Sequence, residues 1–497
     1  MNCLNLATIS APVREELPEE YEERVKIFKD ATHISVEEFA DADLADFCFT
    51  KIIALNRTKD KLIVEMRDRV SGPDVSEDPE IYQAAFQYTY NDRHELVGRF
   101  HKHLETCLSG WEDTKYYAPY CSLVQSSGTG KTRLLKQLAV DKKAYVAYIC
   151  LREAGDSGYP PRSPDITDVL VSARRYEIFS SYIAAVLEYL IESPDLSSQD
   201  FLTLCENGSS DYWNVIGEKM KKLDFKNAKE ISIIKTVRDK LETFVAQPRC
   251  KKLGNLKIVF AFDEAMHLVQ ARTDVKTEKS PFYYLRRALR LLPRTSEEAC
   301  VFAVVTDTSS RVSAFSPESR FDYSYRAREK GQDLFPPFYF TQLDIFQRSS
   351  TVSTVKDITT IGNLATFGRP LWFTTFEASK QKDPSLDNTE NLLVQLAIRK
   401  MLAGLRLQSW AARINDETFF HSKGISHYAV LTARFCIEAE IEASMVETLV
   451  SGYMSILAYV SPDRDIVISR FPSEPLLAEA AAQCMWEIGP AVLLKTY

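Results

Sequence analysis

The sequence predicts an α/β protein: a parallel-sheet core, then a helical lid, then a winged-helix-like C-terminal domain. Three apolar, strand-like runs carry the prediction, and each ends in polar residues. Residues 120–124 run into Ser126-Ser127-Gly128-Thr129-Gly130, residues 256–264 (LKIVFAFDE) end in Asp263-Glu264, and residues 299–307 (ACVFAVVTD) end in Thr306-Asp307. In a parallel sheet ligands sit outside the carboxyl ends of the strands, so the three polar tips converge on one cleft.

The first tip organises the chain. Residues 120–138 read YCSLVQSSGTGKTRLLKQL: a short buried-strand pattern, a small-residue loop, then Lys131-Thr132 opening a run with Leu134, Leu135 and Leu138 at helical spacing. Strand, glycine-bearing loop and helix beginning Lys-Thr is the context of a phosphate-binding loop, or P-loop. Consecutive N–H groups in such a loop and at a helix N-terminus form an anion nest, and glycines let the backbone approach. Ser127, Gly128, Thr129, Gly130, Lys131, Thr132 and Arg133 are the predicted nucleotide-binding residues. Lys131 is expected at the β- and γ-phosphates and the Thr132 hydroxyl on Mg²⁺. The full pattern has glycine where this chain has Gln125, a side chain where the turn usually begins. The bland alternative is a Gly-rich turn before a basic helix.

The second tip is hard to explain by packing, since a buried strand ends in two adjacent carboxylates. Asp263 is expected to hold Mg²⁺ beside Thr132. Glu264 is expected to polarise the attacking water as general base. An ordinary strand ending in acidic loop residues is the competing explanation, and the upstream loop weighs against it. At the third tip, Thr306 or Asp307 is the candidate sensor of the γ-phosphate or its water. Arg287, Arg290, Arg294 and Arg311 are candidates to neutralise transition-state charge, against the plainer reading of each as a surface residue.

The other elements follow in order. Residues 1–79 form an acidic header: the first fifty hold twelve Asp/Glu against four Lys/Arg, which alone gives the whole-chain net charge of −8. Such a segment does not suit a nucleic-acid backbone. Residues 80–346 are the core with a helical lead-in at 80–108, whose Tyr82, Phe86, Tyr90 and Phe100 fall near helical spacing as core, or as the floor of an adenine pocket. Residues 144–151 (AYVAYICL) read as a buried parallel strand. Residues 176–191 and 230–245 read as helices, and 193–228 as a polar, irregular insertion. Residues 282–292 read as a basic amphipathic helix and 337–346 as the last core strand. Residues 347–410 form the helical lid. Residues 411–497 turn to β/α, with 427–437, a helix at 444–453, a hairpin of 455–460 and 466–470, and an Ala-rich helix at 474–486. This stretch is not basic, so a lid or interaction role is expected over DNA contact.

The 497-residue chain has the 45% apolar content of a globular protein. No window approaches the ~18 apolar residues of a membrane span, and no secretory signal is visible, so an intracellular place, cytoplasmic or nuclear, is expected. Ten scattered cysteines without a CxxC pair read as reduced thiols, and seven dispersed histidines show no metal-ligand spacing.

The Asp263-Glu264 adjacency, with a strand between the two nucleotide motifs, resembles P-loop NTPases of the additional-strand class, which includes the AAA and signal-transducing ATPases. Gly368-Arg369-Pro370 is similar to the Gly-x-Pro motif of the signal-transducing branch. More narrowly, SSGTGKTRLLKQLA, YICLREAGDSGYPPRSP, VFAFDEAMHLV with LRRALRLLPR, and FPSEPLLAEAA resemble fungal Crinkler-type proteins, over roughly residues 81 to 485. The resemblance implies binding and hydrolysis of ATP (or another NTP) with Mg²⁺, used as a conformational switch. Members often carry a nuclease-like domain and some act in host nuclei. The chain ends at Tyr497 where such a domain would start, and no Leu-Phe-Leu-Ala-Lys-like motif opens it, so neither property carries over. Two alternatives stand beside the enzyme: a nucleotide-gated scaffold that hydrolyses little, and a DNA-acting effector lacking its nuclease domain. The implied partners are a nucleotide and either a protein or a second copy.

Overall fold

The computed structural model describes residues 78–488, apart from 142, 155–158, 207–209, 224, 270–278, 293–299, 308–311, 317–331, 347–357, 384–385, 404–419 and 437–440. The acidic header, Arg294 and Arg311 lie outside the described residues.

Four strands form one sheet: β1 (Tyr120–Leu123), β2 (Tyr145–Cys150), β3 (Ile258–Asp263) and β4 (Val301–Thr306). Their order is β1-β4-β3-β2 and every pairing is parallel. All four strands are buried along their whole length. Burial on both faces is why they read as continuous apolar runs rather than alternating ones. The protein is therefore α/β, with helices covering a parallel sheet.

The longer helices are α1 (Pro79–Gln87), α2 (Leu96–Ser109), α3 (Lys131–Val140), α4 (Tyr176–Glu192), α5 (Ser198–Glu206), α6 (Ser210–Leu223), α7 (Glu230–Val245), α8 (Pro281–Arg290), α9 (Pro370–Lys382), α10 (Leu386–Met401), α11 (Phe420–Phe435), α12 (Ala443–Gly452) and α13 (Pro475–Ile488). Local chemistry sets several starts. Asp78 caps α1 by accepting from the Glu80 N–H, and Ser280 caps α8 by accepting from the Tyr283 N–H; proline follows each cap. The described residues also hold an antiparallel hairpin, β5 (Ile456–Val460) with β6 (Val467–Arg470).

Two expectations are corrected. Residues 337–346 do not form a strand. They run beside β1, where Phe338 bridges Leu123 in parallel, its N–H donating to the Ser122 carbonyl (2.8 Å) and its carbonyl accepting from Val124 (3.0 Å). Pro336 and Pro337 have no N–H to extend the ladder. Residues 193–228 are not an irregular insertion. They hold α5 and α6, whose Phe201, Leu202, Cys205, Tyr212, Trp213 and Ile216 join the main core. The polar residues between them masked a helical period. Within the β/α stretch, residues 427–435 lie in helix α11.

The chain divides into two compact units. One is Glu77–Leu386 with Ala439–Glu474 and holds both sheets. The other is Met1–Ser76, Asp387–Glu438 and Pro475–Tyr497; among its described residues it is helical, with α11 packed on α13. No helix among the described residues is long and apolar enough to cross a membrane.

Candidate functional site

The loop from Gln125 to Gly130 joins β1 to α3, and its two edges are unlike. Every carbonyl on one edge is occupied. The Gln125 and Ser126 carbonyls accept from the Lys131 ammonium (2.6 and 3.1 Å), and Ser126 also accepts from the Thr129 hydroxyl (3.0 Å). The Ser127 carbonyl accepts from Arg369 Nη1 (2.6 Å), Gly128 from the Leu371 N–H (3.3 Å), Thr129 from the Thr341 hydroxyl (3.3 Å) and Gly130 from the Leu134 N–H (2.8 Å). On the other edge, the N–H groups of Gly128, Thr129, Gly130, Lys131, Thr132 and Arg133 have no acceptor among the described residues. Gly130 precedes α3 at φ +91° and supplies no cap, so the first turn of that helix keeps its donors free. Gly128, at φ +77°, is required twice over, since a Cβ there would lie 2.7 Å from Leu371 Cδ2.

The tip of β3 faces this loop. Asp263 Oδ2 accepts from the Thr132 hydroxyl (2.8 Å) and the Tyr148 hydroxyl (2.8 Å), while Oδ1 accepts from the Glu264 N–H (2.9 Å). Burial, then the Glu264 charge, pushes the Asp263 carboxyl above its usual range against those bonds. Burial likewise draws the Lys131 ammonium down to about 8, opposed by the charges of Asp263, Glu264 and Asp307. Tyr148, buried beside Asp263, is held protonated.

Glu264 adopts φ +53°, left-handed backbone that non-glycine residues rarely occupy and that clusters at functional sites. Its Oε1 pairs with Arg152 Nη2 at 2.8 Å, both side chains largely buried. Burial, the largest single influence, lowers the Arg152 guanidinium, but the nearby Glu264, Cys150 and Asp263 together raise it net. Thr306 and Asp307 stand at the tip of β4. The Thr306 hydroxyl donates to the Leu123 carbonyl (2.8 Å), stitching β4 to β1, and Asp307 Oδ2 accepts from the Met266 N–H (2.8 Å). Arg133 donates to the Phe86 carbonyl and lies over the rings of Phe86 and Tyr90. Arg287 pairs with Glu230, and Arg290 bonds the Tyr117 carbonyl and Gln332, so both are engaged away from the loop.

Four residues at this site escaped sequence reasoning: Tyr148, Arg152, Arg369 in its contact with the loop, and Glu474. Arg152 follows the β2 strand directly, and the end of a parallel strand is the signal that marked the other tips. No comparable signal marked Glu474.

A family model described as a domain of unknown function, DUF8735, matches residues 92–341, half of the chain. The chain belongs to this family. No curated protein and no solved structure matches it. The DUF8735 segment contains β1 to β4, the 125–130 loop, Arg152, Asp263-Glu264 and Thr306-Asp307. Arg369 and Glu474 lie beyond it. Among the described residues no group of three or more His, Cys, Asp or Glu is gathered as a metal cage.

Proposed function

We propose that this chain is a P-loop NTPase, in which Mg²⁺-dependent binding and hydrolysis of ATP, or another nucleoside triphosphate, works as a conformational switch. The single observation that carries the reading is the row of six consecutive N–H groups, Gly128 to Arg133, with no acceptor among the described residues, in a loop closed by the Lys131 ammonium. Consecutive N–H groups in a half-buried loop and at a helix N-terminus, unclaimed by the fold, make a seat for an anion. The strand order adds support: β4 lies between β1 and β3, the arrangement of the additional-strand class.

The residues present suit a magnesium ion. A threonine hydroxyl and a carboxylate already within 2.8 Å of each other are hard oxygen ligands of the kind Mg²⁺ takes when phosphates and water complete its shell. That ion, when bound, supplies charge neutralisation between the phosphates. The amide row and Lys131 hold the phosphate oxygens. Tyr148 keeps Asp263 oriented. Glu264, once released from Arg152, takes the proton of the attacking water. The C-terminal part fits a lid with a winged-helix-like element, since α12 is followed by the β5–β6 hairpin as helix is by wing. The resemblance to Crinkler-type proteins belongs to the same proposal.

One observation favours a second reading, a nucleotide-gated scaffold: Glu264 is engaged by Arg152 rather than open to water. Calorimetry of ATP·Mg²⁺ binding to wild type and Lys131→Ala tests the site, and single-turnover hydrolysis by wild type and Glu264→Gln separates the readings. The NTPase reading expects lost affinity in the first variant and a rate lower by about 10²-fold or more in the second. Equal affinities would dismiss the site, and equal rates would leave the scaffold.

A further inference from the structure

Gln125 stands where a phosphate-binding loop usually has glycine, and it is buried with its amide fully employed. Its Nε2 donates to the Tyr339 carbonyl (2.8 Å) and the Leu457 carbonyl (3.1 Å). Its Oε1 accepts from the Leu457 N–H (2.9 Å) and the Ser126 N–H (2.9 Å). The side chain therefore pairs with both backbone groups of Leu457 as a neighbouring strand residue would, and closes the open edge of β5. Arg369 acts from the other side of the same loop. Its Nη1 donates to the Ser127 carbonyl (2.6 Å) and the Ser126 hydroxyl (3.0 Å). Its Nη2 donates to the Met454 carbonyl (2.7 Å) and to Glu474 Oε1 (2.6 Å), just ahead of and just beyond the hairpin.

Both side chains thus join the loop to the segment that carries β5 and β6. A peptide plane has two edges. Arg369 fixes the Ser127 carbonyl, which turns the Gly128 amide the opposite way, Gln125 fixes the Ser126 N–H, and an anion nest needs its N–H groups converged before the ligand arrives. We propose that Gln125 and Arg369 are positioning residues that present the amide row of the loop to a polyphosphate, and that through them the β5–β6 hairpin sets the affinity of the loop for that anion. The inference rests on the phosphate-binding reading of the loop and deepens it. The nest is built partly by the C-terminal hairpin, outside the DUF8735 segment that contains the loop itself.

The test compares wild type with Gln125→Met, which keeps volume but has no polar amide, and Gln125→Gly, which restores the ordinary motif residue. Two quantities are measured on the full chain: ATP·Mg²⁺ and tripolyphosphate affinity, and hydrogen exchange of residues 126–133 and 456–460 without ligand. Loss of two or more pre-organising bonds is expected to weaken both affinities by about tenfold or more. Exchange in both segments should quicken. The motif alone predicts the reverse for Gln125→Gly, an equal or tighter site. A merely structural tie would lower the melting temperature and leave affinity unmoved. Variants that match a binding-competent wild type in affinity overturn the inference alone. A wild type that binds neither ATP nor tripolyphosphate overturns the phosphate-binding reading and this inference with it.

Discussion

Glu474→Ala removes a carboxylate that accepts four hydrogen bonds: from Arg369 N–H (3.1 Å), Nε (2.8 Å) and Nη2 (2.6 Å), and from Trp372 Nε1 (2.8 Å). The Arg369 side chain is 0% exposed and that of Glu474 1%, so water cannot replace the lost partner. Deleting one member of such a pair strands a buried charge and costs about 3–5 kcal/mol, whereas a surface pair is worth about 0–1 kcal/mol. Urea unfolding followed by tryptophan emission reads the change. Glu474→Ala is expected in the higher range. The double variant Arg369→Met with Glu474→Leu, which removes both charges, should cost less than Glu474→Ala alone. A Glu474→Ala protein within about 1 kcal/mol of wild type would refute the reasoning, because that is the behaviour of a solvated pair.

Other consequences are shorter to state. Gly368→Ala forces a Cβ to within 2.5 Å of Glu474 Cγ at φ +82°, and should destabilise by more than the roughly 1–2 kcal/mol of left-handed strain alone. Gly130→Ala meets nothing within 4 Å and should show only that strain, so chemical denaturation should rank Gly128→Ala, which meets Leu371, as the costlier change in the loop. Burial holds the His103 imidazole below its ordinary value of 6.5, against its hydrogen bond to the Pro336 backbone carbonyl, which raises it. A base depressed on folding binds its proton more readily unfolded. Its stability contribution is thus complete above 6.5 and lost as pH falls below it, and the melting temperature should drop from about pH 7 to about pH 5, less so in His103→Gln. Arg152→Ala should raise the single-turnover rate of ATP hydrolysis severalfold at unchanged affinity. A rate equal to or below wild type would show that the pair does not restrain Glu264.

The parallel sheet was legible because burial on both faces writes itself as unbroken apolar runs. The 120–124, 256–264 and 299–307 runs predicted β1, β3 and β4 to within a few residues. Asp263, Thr132 and Lys131 were legible as neighbours because the carboxyl ends of parallel strands lie along one edge of the sheet, even with β4 between β1 and β3. The 193–228 segment was not legible, since its buried Phe201, Tyr212 and Trp213 are spaced among polar and charged residues that hide the helical period. The run at 337–346 failed in the opposite way. Its apolar residues are buried at Phe338, yet two prolines deny it the ladder that would make it a strand.

Gln125 shows where one-dimensional reading stops. Set against a motif, it is a defect, because a side chain occupies a glycine position. In the fold, that side chain points away from the amide row and pairs with Leu457, 332 residues along the chain. The same holds for Arg369 and Glu474, which meet across 105 residues while the ends of the loop they brace lie close in sequence. Contacts of such span leave no local period, spacing or propensity to read, and they enter only when the chain closes on itself. What was readable was therefore the face of the site that the ligand would touch. What was hidden was its back, where Leu457 of the hairpin holds the Gln125 side chain and Arg369 holds the Ser127 carbonyl, and it is there that the departure from the motif acquires its physical reason.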